Sequence, residues 1–188
     1  MTISQRSVSI RIGAAWCAAV GDSHTFQSKD NRHLKIEYMQ AAIDEAFKGM
    51  KADEGGPFGA VVVRDGTIIA RAHNEVLSTG DPTAHAEMEA IRKAVQILDR
   101  WRLTKTTLYV TVEPCCMCLG AIILARIERL VFGIQEPKSG FCGSQADLTK
   151  TIFNRYGLIV DSGILADEAR ELMQEFFKKL RRGTEVWP

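Results

Sequence analysis

The sequence predicts a three-layer α/β/α domain, a single sheet with helices on both faces. Three observations predict it. Short apolar, β-branched runs alternate with longer stretches of helical periodicity across residues 34–182, and strands alternating with helices need a sheet covered on both sides. Two of the runs flank Asp65-Gly66, a dipeptide that favours a tight hairpin turn. The chain of 188 residues is 46% hydrophobic and 25% charged. That suits one domain burying roughly two-thirds of its unfolded surface.

The elements follow in order. Leu34, Tyr38, Ala41, Ala42, Ala46 and Met50 recur at helical spacing as one apolar stripe, so a helix is expected from His33 until Glu54-Gly55-Gly56-Pro57 stops it. Residues 58–63 and 68–73 are the two hairpin strands. Asp81-Pro82 is expected to open the next helix, because Asp is favoured at the N-cap and Pro at the first helical position. Met88, Ile91, Ala94, Val95 and Leu98 would be its buried face. Residues 108–112 form a third strand. The cysteine cluster follows at once and opens a helix through Leu119, Ile122, Ile123 and Leu124. Residues 130–134 and 158–160 supply a fourth and a fifth strand. Residues 166–180 make a final helix with Leu172, Phe176, Phe177 and Leu180 as its apolar face. No repeat, low-complexity segment or linker divides this stretch.

Several classes are excluded. No apolar run reaches the ~18 residues of a membrane span. The net charge of +1 gives no bulk attraction for nucleic acid, leaving only a local patch to provide it. The cysteines are Cys17, Cys115, Cys116, Cys118 and Cys142. An odd number, with three of them inside four positions, argues for metal binding in a reducing, cytoplasmic compartment rather than for a disulfide framework. Residues 1–33 read as an N-terminal extension, either a disordered tail or the product of an upstream start codon. Arg6, Arg11 and the small apolar run 12–20 are also what a targeting segment would carry.

The chemistry gathers in two bursts, Pro82-Thr83-Ala84-His85-Ala86-Glu87 and Pro114-Cys115-Cys116-Met117-Cys118. A structural zinc site closes all four positions with Cys or His; a catalytic one has three protein ligands and leaves the fourth to water. His85, Cys115 and Cys118 make three. Positions i and i+2 of a helix lie about 200° apart around its axis, so Glu87 suits a place beside that water better than a place on the metal. For the same reason Cys116 should point elsewhere. Two thiolates at the start of a helix are stabilised by its dipole, and two soft sulfurs with one imidazole select Zn²⁺, one per chain. A structural knuckle would want a second Cys or His pair. A redox pair would leave His85-Ala86-Glu87 unexplained.

These residues resemble the H-x-E…P-C-x-x-C signature of the zinc-dependent nucleobase deaminases of the cytidine deaminase superfamily. The similarity runs over residues 34–182 and is closest to the bacterial tRNA-specific adenosine deaminases. It is carried by 107–115, 129–133, 137–140, 143–144, 163–168 and 175–177. It implies a five-stranded mixed sheet between helices, hydrolytic deamination of the wobble adenosine in the tRNA anticodon loop, and Glu87 as the residue that moves the protons.

By the same resemblance, Asn74, Ala86 and Pro114 would contact the substrate, joined by Glu136. Lys178 and Arg181, with Lys179 and Arg182, would meet phosphates. Phe177 would stack on a base, although core packing is the preferred reading for it. A homodimer is implied, with the cysteine helix near the interface and Ala121, Ile122 and Ala125 as the small apolar surface. Gly56-Pro57-Phe58-Gly59-Ala60 resembles guanine and cytosine deaminases instead, Glu136 stands where the tRNA enzymes usually carry Asp, and Asn154-Arg155 lacks a histidine often found between them. A free base or nucleoside, guanine before cytosine, is therefore the alternative substrate.

Overall fold

The computed structural model describes residues 36–182. The expected extension 1–33, with Cys17, and the proposed stripe residue Leu34 lie outside them. Strands β1 (Gly59–Arg64) and β2 (Thr67–His73) are antiparallel. They are joined by Asp65 and Gly66 at φ 49° and 76°, the two left-handed residues that a type I′ hairpin turn requires. Strand β3 (Thr106–Val112) pairs antiparallel with β1 on its other side. Strand β4 (Arg129–Ile134) is parallel to β3, and β5 (Ile159–Ser162) is parallel to β4. The order is β2-β1-β3-β4-β5 in one five-stranded mixed sheet.

The central strands are apolar at consecutive positions because both faces are covered. Ala60, Val62, Leu108, Val110, Leu130 and Phe132 point to one face. There they meet Ala86, Ala90, Ile91 and Ala94 of helix α3 (Ala86–Leu98) and Ile122 of α4 (Cys116–Leu124). Val61, Val63, Tyr109 and Val131 point to the other. There they meet Met39, Ala42 and Ala46 of α1 (Ile36–Lys51) and Leu172 and Phe176 of α5 (Ala166–Arg182). The three-layer sandwich expected from the alternation of elements is what forms.

The boundaries differ in instructive ways. Helix α3 starts at Ala86, not at Asp81. The Asp81 carboxylate instead accepts the N–H and hydroxyl of Thr83, each at 2.7 Å, and Ala84 N–H reaches the Asp81 carbonyl at 3.0 Å. The favoured capping residue is spent on a local turn. A short helix α2 (Val76–Thr79) precedes it. The buried stripe of α3 is rotated accordingly: Ala86 and Ala90 are buried, while Met88 is only partly so. On α4, Leu124 is 70% exposed, whereas Ile122 and Ala125, expected at a subunit surface, are in the core. On α5, Phe177 is 45% exposed, against the expectation of core packing, because Phe176 takes the buried position of that turn.

Candidate active site

Two helices begin at the same point. His85 is the N-cap of α3 and Cys115 the N-cap of α4, both with extended backbone, ψ 153° and 171°. An extended N-cap turns its side chain out of the helix cylinder. The i, i+2 spacing of His85 and Glu87 therefore straddles the helix mouth instead of wrapping around the barrel. Cys118 is the third residue of α4 and returns to the same spot.

The Nδ1 of His85 lies 3.7 Å from the Cys115 sulfur and 3.5 Å from the Cys118 sulfur. All three ligand atoms fall within 4.8 Å of one another. Those separations suit zinc: Zn–S near 2.3 Å and Zn–N near 2.0–2.1 Å in a tetrahedron place S and N about 3.6 Å apart. Glu87 is not one of this group, although it lines the same cleft and is buried, at 5% exposure. Cys116, between the two ligand-type cysteines, is exposed.

The electrostatics follow from the crowding. The Cys118 thiol, by hydrogen bonding to Cys115, holds Cys115 down at about 4, and His85 adds to the effect. Cys118, as the donor of that bond and a buried group, is pushed up. The Cys115 thiolate raises His85. Burial raises the Glu87 carboxyl above its ordinary value. Burial also pushes the Cys142 thiol up to about 12, with the Glu113 carboxylate contributing.

The cleft has a volume of about 220 Å³, below the roughly 300–1,000 Å³ of sites for drug-sized ligands and on the scale of a single base. Gly56, Phe58, Val76 and Val110 are among its walls, with Asn74 and Glu136 as polar members. Asn74 is buried, and its Oδ1 accepts the N–H groups of Gly56 and Val76 at 3.3 Å. The adjacent His73 pairs with Glu54 at 2.5 Å, tying the end of β2 to the loop that carries Gly56 and Phe58. Glu136 accepts the N–H of Lys138 at 2.9 Å.

Other residues expected to touch the substrate stand outside the wall. Ala86 is buried among core residues. Pro114 is buried too, and its carbonyl accepts Phe141 N–H at 3.0 Å. Phe177, Lys178 and Arg181 are exposed on α5 and do not line the cleft; Lys179 pairs with Asp53 at 2.9 Å. Sequence reasoning missed Ser139 as a wall residue and, above all, Glu113. The available signal was an acid directly after an uncharged strand, one residue before Pro114-Cys115.

A mixed five-stranded sandwich with a His/Cys/Cys cluster and a buried acid at two helix mouths defines the class of zinc-type deaminases. The chain belongs to the MafB19-like deaminase family, whose model matches residues 33–181. It is 46% identical to the tRNA-specific adenosine deaminase of Bacillus subtilis (strain 168) over 77% of this chain and 89% of that protein. Among solved structures it is similar to one from a study of A-to-I editing by tRNA:A34 deaminases at the wobble position. That likeness has 40% identity, a TM-score of 0.70, and coverage of 73% of this chain and 99% of the other. It is also similar to guanine deaminase from Bacillus subtilis, at 42% identity and a TM-score of 0.53, over 63% of this chain and 73% of the other. No helix of the described residues is long and apolar enough to cross a membrane.

Proposed function

We propose that the chain is a tRNA adenosine deaminase that converts the wobble adenosine of the anticodon loop to inosine, with one Zn²⁺ held by His85, Cys115 and Cys118. The observation that carries the reading is the convergence of those three ligand atoms at two helix mouths, with a buried acid outside the ligand set in the same base-sized cleft. The choice of tRNA is supported by relatives of that name and by the likeness, over 73% of this chain, to a structure from a study of wobble deaminases.

When bound, zinc supplies a water acidified to a pKa of about 7. Glu87 takes a proton from the attacking water and delivers it to the ring nitrogen beside the amino-bearing carbon. It then carries the second proton to the departing amine, so that ammonia leaves as the ring carbonyl forms. Burial, which favours the neutral acid, suits a group that must hold a proton between these transfers. Asn74 has its carbonyl oxygen engaged by Gly56 and Val76, which leaves its amide hydrogens as the donors offered to the base. Phe58, Val76 and Val110 exclude water around the ring. A flipped-out nucleotide enters past the partly exposed His85 and Cys115.

Lys178 and Arg181, exposed on α5, would follow the phosphates of the loop. The outer face of α4 is apolar, with Met117, Gly120 and Ala121 partly exposed and Leu124 exposed; a helix apolar all round is normally buried. That face supports a homodimer. Reduced cysteines throughout the described residues suit a cytoplasmic enzyme.

The second reading, guanine deamination, is favoured by Phe58 in the cleft wall and by the guanine deaminase likeness. Incubation with an anticodon stem-loop, followed by nucleoside analysis, separates the two. Inosine at the wobble position is expected. Conversion of free guanine with the RNA untouched would overturn the tRNA reading.

A further inference from the structure

Glu113 closes the β3 side of the cleft with its side chain buried, at 3% exposure. Among the described residues no cation forms an ion pair with it. Its charge is met by a loop instead. One oxygen accepts the N–H groups of Cys142 at 2.7 Å and Ser144 at 3.1 Å. The other accepts the N–H of Glu136 at 3.1 Å and the hydroxyl of Ser144. Gly140 packs against the carboxyl so closely that a Cβ there would come within 2.4 Å of it. Four donors from residues 136–144 therefore converge on one carboxylate, and donors facing an ionised acceptor make the stronger class of hydrogen bond.

The placement gives this network its consequence. Glu113 is two residues from Cys115, and its own N–H is fixed to Ile134 at 2.8 Å. The loop it holds supplies Glu136 and Ser139 to the wall of the cleft. The mouth of the cysteine helix, through the backbone, and the far wall of the cleft, through the side chain, are thus fastened to the same residue.

We infer that Glu113 is a positioning residue that locks loop 136–144 against the cysteine helix and thereby sets the affinity of the cleft for the substrate base. The affinity part rests on the deaminase reading; the locking part does not. Glutamine has the same shape but only one accepting oxygen. In E113Q its NH₂ must face either Glu136 N–H or the Cys142 and Ser144 N–H groups, donor against donor.

The test compares wild type and E113Q by amide hydrogen exchange, zinc content, and steady-state kinetics on an anticodon stem-loop. Exchange across 136–144 should rise about ten-fold or more, with zinc still at one per chain. KM should rise about ten-fold while kcat stays within about three-fold. Unchanged exchange in that loop, loss of zinc, or a fall in kcat at constant KM would each overturn the inference. If E113Q does not fold, S144A removes one donor and leaves the carboxylate. It should raise loop exchange and KM about three-fold, and wild-type exchange in S144A would overturn the inference. If the wild-type protein does not deaminate the stem-loop, the proposed function fails, and the exchange measurement still decides whether Glu113 holds the loop.

Discussion

The Nδ1 of His85 lies 3.5 Å from the Cys118 sulfur although 33 positions separate the two residues in the chain. Nothing local brings them together. The sheet does: α3 packs across β1 and β2, α4 leaves the end of β3, and their first turns meet because both helices cover the same face of the sheet. The metal-type cluster is thus a product of the topology. Removing it should leave the core intact while abolishing the chemistry.

That gives the first prediction. H85A and C118S should each lose zinc, measured by metal analysis, and chelation of the wild type should lower its melting temperature, because an ion bound only by the folded state stabilises it. E87Q should keep one zinc per chain and lose turnover by about 10²–10⁴-fold, the usual contribution of a general acid–base group. Undiminished turnover in E87Q would remove Glu87 from the mechanism.

Thiol chemistry should divide the described cysteines. Cys142, pushed up to about 12 chiefly by burial, is above its ordinary value and so stays protonated as pH rises past 9. At pH 8 roughly one molecule in ten thousand would carry the thiolate. On the zinc-loaded protein, with Cys115 and Cys118 held as metal ligands, Cys116 is exposed and should be the described cysteine alkylated first. Peptide mapping after iodoacetamide treatment checks both; rapid labelling of Cys142 would contradict the burial argument.

Neighbouring residues of α4 should behave in opposite ways. Ile122 is fully buried, so I122A should cost about 2–5 kcal/mol of stability. Leu124, at 70% exposure, should tolerate L124D within about 0.5 kcal/mol in the monomer yet weaken self-association in sedimentation experiments. A dimer indifferent to L124D would place the interface elsewhere.

The exposed cations of α5 should act through charge alone. K178A or R181A should weaken stem-loop binding and reduce the slope of log K against log salt by up to about one for each phosphate no longer neutralised. Zinc content and thermal stability should not change. An unchanged slope would take these residues out of the RNA interface.

The legible parts of this fold were the local ones. Asp65-Gly66 determines its own turn, and Cys115 and Cys118 carry their chemistry and spacing together. Boundaries set by competition were harder. Asp81-Pro82 has the composition of a helix start, but the Asp81 side chain is consumed by Thr83 and the helix waits for His85. Helix α2 is too short to carry a period.

The orientation of single side chains on uniformly apolar elements was not readable at all. Nothing in the composition of α4 distinguishes buried Ile122 from exposed Leu124, nothing in Phe176-Phe177 says which ring the core takes, and nothing in two alanines says that Ala125 is buried and Ala121 only partly so. Glu113 illustrates the remaining gap. Its partners lie 23 to 31 positions away, so its function exists only once the loop has folded back onto β3.

The reaction proposed for the cleft is deamination of adenosine in RNA. Its most direct test is the ratio of kcat/KM for a tRNA anticodon stem-loop carrying a wobble adenosine to that for free guanine, measured on the zinc-loaded protein. A ratio far above one, with inosine formed at the wobble position alone, is the result expected. Turnover of guanine with no inosine in the RNA would contradict it.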